Sequence, residues 1–186
     1  MKRSLPLWLL LGHFLLLAGC QMFNSQRDHE AEADIDAKAR VTLRNLYATT
    51  PAARTLARDA KATLVFPGVV KAGFIGGAQY GTGALIKRGH TAGYYNLIAG
   101  SYGLQAGVQS FDYVMFFMKD SALRYLEDSS GWEVGVGPSL VVVDAGVAKT
   151  LTTTTGRSDV YAFIFSQKGL MGGMGIQGCK ITRINP

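Results

Sequence analysis

The sequence predicts an α+β fold, with N-terminal helices packed on a curved, glycine-rich, mostly antiparallel β-sheet or barrel. Apolar residues between Asp28 and Leu64 recur at spacings of three and four, which is the period of amphipathic helices. Beyond Pro67 glycine becomes frequent, and short runs of β-branched and aromatic residues stand between turn residues, as in antiparallel strands. The order of the two patterns indicates helices first and a sheet second.

Two helices are predicted before the sheet. The first runs from Asp28 to about Thr49, with the apolar positions Ala31, Ile35, Ala39, Leu43 and Leu46. Thr50 supplies an N-cap and Pro51 the first residue of the second helix, which is predicted to continue to about Phe66. Its buried stripe is predicted to be Ala53, Leu56, Ala57, Ala60 and Leu64. A short third helix is predicted near 121–127, with Leu123 and Leu126 facing inward.

Strands are predicted near 69–75, 79–87, 92–99, 101–109, 111–118, 132–136, 139–148, 158–166 and 169–182. Glycine alternates with larger residues in several of them, for example in 102–108 and 131–137, which leaves one face of the strand nearly bare. Repeated glycine inside strands indicates sharp curvature, or the close approach of another layer or of a ligand chain. A tightly coiled sheet packed on helices is the favoured interpretation.

The N-terminus has the pattern of an exported lipoprotein precursor. Lys2 and Arg3 precede a nearly unbroken apolar stretch, 5–18, which is shorter than the ~20 apolar residues of a membrane-spanning helix. Leu17-Ala18-Gly19-Cys20 follows and resembles the lipobox of bacterial lipoproteins. The resemblance implies diacylglycerol on the Cys20 thiol, cleavage before Cys20, and acylation of the new amine by a fatty acid such as palmitate. The alternative is an ordinary signal peptide with a cysteine there by chance.

These features divide the chain into a signal peptide (1–19), a lipidated cysteine with a short polar tether (20–27) and a single domain (28–186). Each methylene of an acyl chain that is buried in the membrane adds ~0.8 kcal/mol to the free energy of binding, so several acyl chains would make the attachment permanent. Gln21 stands where lipoproteins kept in the inner membrane carry Asp, so the resemblance implies the outer membrane, on its periplasmic side. With Cys20 acylated, Cys179 has no partner for a disulfide within the chain.

No catalytic or metal-binding constellation is predicted. Of the three histidines, His13 lies in the predicted signal peptide and His29 is near the tether. His90 remains, and with Cys179 it cannot form a zinc site of the usual composition. Residues 173–178 match the dinucleotide-binding pattern GxGxxG, but a strand-like segment follows instead of a helix, so these are interpreted as strand glycines. The carboxylates are scattered, and an enzyme of lipid or glycan turnover would need two of them to converge.

Basic residues concentrate at the second predicted helix. Between Lys38 and Lys61 there are six Lys and Arg against Asp59 alone, and Arg54, Arg58 and Lys61 follow one another at spacings of four and three. Such a cationic flank suits binding to anionic lipid headgroups, because each basic residue close to the membrane surface contributes ~1 kcal/mol to the free energy of binding. The alternative is a solvated surface that complements the helix macrodipole. Nucleic acid is not predicted as a partner, because aromatic and basic residues are not interleaved.

Three segments resemble the SYLF domain family: AKATLVFPGVVKAGFIGGAQYGTGALI from Ala60, YYNLIAGSYGLQAGVQSFDYVMFFM from Tyr94, and VYAFIFSQKGLMGGMGIQG from Val160. Together the similar region covers about 45–182. Eukaryotic members bind phosphoinositides and other acidic lipids, and some bundle actin; bacterial members include many exported proteins. The Trp-Ser pair usual in eukaryotic members is replaced here by residues 94–96 (YYN). The resemblance therefore implies binding of acidic lipids, with Arg54, Arg58 and Lys61 nearest to the family's basic residues.

The resulting hypothesis is a non-enzymatic, membrane-anchored lipoprotein that needs no cofactor and binds acidic phospholipids. The alternative hypothesis is an envelope structural or assembly protein that grips another protein through its β-domain.

Overall fold

The computed structural model of the chain describes residues 7–102, 105–128, 131–133, 137–143, 158–173 and 176–186. Within these residues lie three helices: α1 (Leu7–Thr49), α2 (Pro51–Asp59) and α3 (Asp120–Asp128). The same residues contain eight strands: β1 (Ala62–Gly73), β2 (Gly76–Lys87), β3 (His90–Tyr102), β4 (Gln105–Phe117), β5 (Trp132–Glu133), β6 (Leu140–Val143), β7 (Val160–Gly173) and β8 (Ile176–Ile184). The predicted α+β class is confirmed.

The eight strands of the described residues form one sheet in the order β5-β8-β3-β2-β1-β4-β7-β6. All neighbours run antiparallel except β6 and β7. The sheet curls into a half-barrel around the central hairpin of β1 and β2. Its proximal end is where Ala62 pairs with Phe117, and its distal end carries the turn at 74–75 between β1 and β2.

The sheet has an inner and an outer face, each buried by different elements. On the inner face, Leu64, Leu85 and Met115 share a buried cluster with residues of α3 and with Trp132. On the outer face, a second cluster combines residues of α1 and α2 with the strand residues Val65, Ala84, Val114, Phe116, Val143, Tyr161 and Phe163. Because all of these outer residues belong to the proximal half, the two N-terminal helices cover only that half of the outer face.

The first helix is anchored to the sheet by packing and by one polar contact. Ile35, Ala39 and Leu46 are buried against the outer face, which confirms these predicted apolar positions. Thr91 Oγ1, next to the β2–β3 turn, donates a hydrogen bond of 2.8 Å to Asp36 Oδ1. Leu123 and Leu126 of α3 are also buried, as predicted.

The second helix is shorter than predicted. It ends at Asp59, and Ala60 already has an extended backbone with φ −68° and ψ 136°. The residues after Lys61 form β1, so Leu64 and Phe66 belong to a strand and the prediction of a helix to Phe66 is wrong. The physical reason is that β1 is a central strand paired on both sides, and its Thr-Leu-Val-Phe run suits a strand buried on both faces.

Five strand predictions need correction in their ends. The strands predicted at 92–99, 101–109 and 111–118 are two longer strands, β3 and β4, with irregular pairing between Ser110 and Asp112 instead of a break. The strands predicted at 158–166 and 169–182 are likewise β7 and β8, which separate between Gly173 and Ile176. The later parts of the strands predicted at 132–136 and 139–148 lie outside the described residues.

Close backbone approach explains the glycines of the central strands. A Cβ atom on Gly83 would lie 2.2 Å from the Val65 carbonyl oxygen, and one on Gly73 would lie 2.5 Å from the Gly76 carbonyl oxygen. The neighbouring irregularity in β1 is fixed by Gly68, whose φ is 62° and whose amide donates to Asp112 Oδ1 at 2.9 Å. These contacts support sheet curvature as the reason for the repeated glycine.

Asp159 stabilises the start of the parallel strand pair β6–β7. Asp159 accepts hydrogen bonds from the Ser139 amide and hydroxyl, and Lys119 Nζ lies 2.7 Å from Asp159 Oδ1. The hydrogen bond from Lys119, helped by Ser139, lowers the pKa of Asp159 to about 2. The carboxylate is therefore ionised across the physiological range.

The helix α1 begins at Leu7, so the segment predicted as a tether (20–27) is helical as well. In the part of the chain that the structure describes, no helix combines the length and apolar character needed to cross a membrane. The division into signal peptide, tether and domain stays a prediction.

Candidate functional site

The predicted basic residues lie on the solvent side of the helical layer. Arg54 and Arg58 are exposed on α2, opposite Ala53 and Leu56, which are buried against the outer cluster. Lys61 is exposed too, but it lies in the link after the helix, where its amide donates to the Phe117 carbonyl oxygen at 2.8 Å. We call these three residues, Arg54, Arg58 and Lys61, the basic flank.

Unlike three lysines of the chain, the residues of the basic flank have no counter-charge among the described residues. Lys38, Lys87 and Lys119 are within 2.7 Å of a carboxylate oxygen. Among the residues that the structure describes, none of the three flank residues has an ion-pair partner within 4 Å. Their charges are therefore available to an anionic partner.

The distal half of the outer face exposes large apolar side chains. Tyr80 is 55% exposed and Leu170 is 89% exposed, and Val70, Ile98 and Val108 are also exposed. Register places them side by side: Val70 pairs with Tyr80, Tyr80 pairs with Ile98, and Val108 pairs with Leu170. We call these five residues the outer apolar surface.

Lysines border the outer apolar surface on both sides. Ile98 pairs with Lys180 on β8, whose own partner on β5 is Glu133. At the other side, Ser110 separates Val70 from Lys168 on β7. Both lysines are exposed. Across the sheet, Ile98, Tyr80, Val70 and Ser110 therefore lie between the two lysines, and Glu133 lies beyond Lys180.

The distal end of the sheet adds further apolar groups. Phe74 and Ile75 in the β1–β2 turn are 74% and 55% exposed, and Tyr102, whose pairing partner is Gly76, is 78% exposed. Solvent-exposed aromatic and aliphatic side chains concentrated at one end of a domain mark a surface for a membrane or a protein partner. The outer apolar surface and the basic flank belong to elements on the same side of the sheet.

The sequence did not predict the outer apolar surface. The alternation of glycine with large residues was visible, but it shows only that each strand has one bare face. Which face stays uncovered depends on how far α1 and α2 extend over the sheet, and that is a property of the tertiary structure.

The histidine, cysteine and carboxylate side chains of the described residues do not cluster into a metal site. These residues contain no group of three His, Cys, Asp or Glu side chains that could hold a metal ion. His90 is exposed next to the β2–β3 turn, and burial raises the pKa of the half-buried Cys179 thiol to about 11. Three of the scattered carboxylates have structural contacts: Asp112 binds the Gly68 amide, Glu127 binds Lys87, and Asp159 binds Lys119.

The GxGxxG segment (173–178) has the predicted strand context. Gly173 ends β7, and Ile176 begins β8. These two strands occupy opposite halves of an antiparallel sheet, pairing with β4 and β3 respectively. The motif therefore does not open a helix, as dinucleotide binding would require.

The described residues form a small α+β domain with an exposed apolar sheet face and exposed basic residues beside it. The family model described as "Ysc84: Las17-binding protein actin regulator" matches residues 98–185, from the middle of β3 to the end of β8. This match confirms the resemblance to the SYLF domain family over residues 98–185. SYLF domains in general bind lipids. No curated protein matches the chain.

The matched region contains Ile98, Val108 and Leu170 of the outer apolar surface and both bordering lysines. The basic flank, which comes from α2 and the link after it, lies outside the matched residues. The role predicted for Arg54, Arg58 and Lys61 therefore stays a prediction.

Proposed function

We propose that this protein is a membrane-anchored envelope lipoprotein whose domain binds acidic phospholipids and catalyses no reaction. The observation that carries the proposal is the row on the outer sheet face in which exposed Val70, Tyr80 and Ile98 lie between Lys168 and Lys180. The match to a lipid-binding domain family over residues 98–185 supports the same conclusion.

A membrane interface suits this combination of groups. Apolar side chains gain free energy by entering the headgroup and acyl boundary, at roughly 25 cal/mol per Å² of buried apolar area. Lysine and arginine side chains next to them attract anionic headgroups, and each contributes ~1 kcal/mol to the free energy of binding. The basic flank on the same side of the sheet extends the charged contact beyond the two lysines.

The proposed anchor is lipid on Cys20, which would hold the domain at the outer membrane on its periplasmic side. We expect labelled palmitate to be incorporated into the wild-type chain and not into Cys20→Ser, because the thiol and the new amine are the acylation sites implied by the lipobox. The matched control is Cys179→Ser, which should keep the label. A freely soluble, unlabelled wild-type protein would contradict the anchor.

The basic flank gives a second prediction. A chain of residues 21–186 carrying Arg54→Glu and Arg58→Glu should bind phosphatidylglycerol vesicles at low salt more than about tenfold more weakly than wild type, since two contributions of ~1 kcal/mol are lost and repulsion is added. Liposome flotation against neutral vesicles measures the effect.

The control for this prediction is Arg124→Glu with Arg183→Glu. It changes the net charge by the same amount, at exposed residues on α3 and on the inner-facing side of β8. Equal loss in the two double variants would show that net charge matters and the flank does not. Wild-type binding that does not exceed binding to neutral vesicles would contradict acidic-lipid binding altogether.

A second candidate function is an envelope structural or assembly role in which the outer apolar surface grips another protein. The exposed sheet face favours it, since apolar patches of this kind also mark protein interfaces. Crosslinking in cells separates the two functions: one dominant protein adduct, together with vesicle binding that shows no lipid preference, would support the protein partner.

A further inference from the structure

A polar row crosses the inner face of the sheet in its distal half. Gln79, Lys71 and Gln109 lie on the adjacent strands β2, β1 and β4, and register pairs Lys71 with both glutamines. The row continues through Ala99 to Cys179 on β8. Polar side chains on the concave face of a curled sheet are unusual, because that face otherwise carries the core.

The polar row forms one side of a cavity of about 280 Å³. Apart from Gln167 on β7, the rest of the lining is apolar. It consists of Leu97, Phe111 and Tyr113 from the core, and of Leu140, Val142 and Ile164 from β6 and β7. The cavity therefore has a cationic, hydrogen-bonding side and an apolar side. That distribution is typical of sites for amphipathic small molecules.

The charge of Lys71 has no counter-ion within the described residues. Its side chain is half-buried, and no carboxylate of the described residues lies within ion-pair distance. Gln79 beside it is only 5% exposed. A cation turned into a largely apolar cavity is unfavourable unless an anion compensates it.

Glycines occupy the row next to the polar row on its distal side. The next row toward the distal end carries Gly77, Gly73 and Gly107 on the same three strands. A Cβ on Gly73 would meet the Gly76 carbonyl oxygen at 2.5 Å, and one on Gly107 would meet the Leu170 carbonyl oxygen at 2.1 Å. The backbone packing therefore excludes larger side chains from this row, which is adjacent to the Lys71 row on its distal side.

We propose that this inner cavity binds a single-chain amphiphile with an anionic head, either a carboxylate or a phosphate. The head would contact Lys71, Gln79 and Gln109, and the chain would lie against Leu97, Phe111 and Tyr113. The volume, just below the ~300–1,000 Å³ of common ligand sites, suits one short chain and excludes a whole diacyl phospholipid. The site is on the opposite face of the sheet from the proposed membrane contact and does not depend on it.

Protection of Cys179 tests the proposal on the full chain. In a Cys20→Ser chain Cys179 is the sole thiol, and it lines the cavity. Decanoate below its micellar concentration, at ten times its Kd, should slow alkylation of Cys179 about tenfold, because only the empty fraction reacts. Decyl phosphate serves as the second anionic probe, and protection by either anion supports the proposal. Decanol should protect much less.

Substitutions separate the head contact from apolar binding. Lys71→Gln should lose the protection of Cys179 by both anions, and Lys71→Arg should keep it. Lys168→Gln loses the same charge on the outer face, and its Cys179 should be protected by the anions as well as in wild type. Equal protection by decanol, protection that survives in Lys71→Gln, or no protection by either anion would each overturn the proposal. Unliganded alkylation rates and thermal melting show whether each variant is folded; if Lys71→Gln unfolds, the comparison of decanoate with decanol in wild type decides.

Discussion

Gly83→Ala is expected to lower the free energy of unfolding by roughly 3 kcal/mol, at the top of the usual range for overpacking. The added Cβ would lie 2.2 Å from the Val65 carbonyl oxygen and 2.6 Å from Cδ1 of Phe66. Val65 belongs to the central strand, which is paired on both sides, so its backbone cannot move aside without breaking its pairing with β2 or β4. Urea denaturation followed by circular dichroism would measure the loss.

Gly100→Ala is the matched control for this prediction. Gly100 also lies inside a long strand, β3, but a Cβ there would meet no atom within 4 Å. Alanine should leave stability unchanged or raise it by about 0.5 kcal/mol, since it reduces the conformational entropy of the unfolded chain. Equal destabilisation by the two substitutions would mean that glycine serves the strands through flexibility and not through close backbone approach.

The spacing of apolar residues and glycines was enough to predict the buried sides of two helices and the curvature of the sheet. The spacing of Ile35, Ala39 and Leu46 predicted the buried side of α1, and Leu123 and Leu126 predicted that of α3. The glycine-rich texture predicted a curved sheet, which the close contacts of Gly73 and Gly83 explain. In the helices the signal lies within a few residues, whereas the contact that explains Gly83 is made by Val65 on the neighbouring strand.

The start of the sheet could not be predicted from local pattern. Leu64 continues the three-and-four spacing of α2, and the same residue suits a strand buried on both faces. Pairing with β2 and β4, which involves residues more than 20 and 50 positions away, decides in favour of the strand. Short apolar runs of this kind remain ambiguous until their tertiary partners are known.

The candidate sites were only partly predictable for the same reason. Charge spacing predicted that Arg54 and Arg58 share a helix face, whereas Lys61 is exposed beyond the end of that helix. The inward position of Lys71 and its glutamine neighbours depends on the irregularity of β1 after Phe66, which shifts the alternation of side chains. No pattern in the sequence fixes where such a shift falls.

Tyr80→Asp combined with Ile98→Asp is expected to remove the part of vesicle binding that survives at high salt. Salt screens the attraction between exposed cations and anionic headgroups, so binding through the basic flank should fade as salt rises. Contact through the outer apolar surface is not screened. Tyr80 and Ile98 are about half exposed, at 55% and 51%. Each could therefore bury about half of its apolar area on membrane binding, which would contribute roughly 1 kcal/mol to the free energy of binding.

The loss should exceed about tenfold, because each aspartate removes an apolar contact and also places a negative charge against the bilayer. Sedimentation of residues 21–186 with phosphatidylglycerol vesicles at low and high salt would measure it. Val41→Asp is the control: Val41 is 44% exposed on α1 and lies outside the outer apolar surface, so it should bind as wild type does. Wild-type binding that disappears entirely at high salt would mean that charge alone holds the domain at the membrane, and the outer apolar surface would then be left for a protein partner.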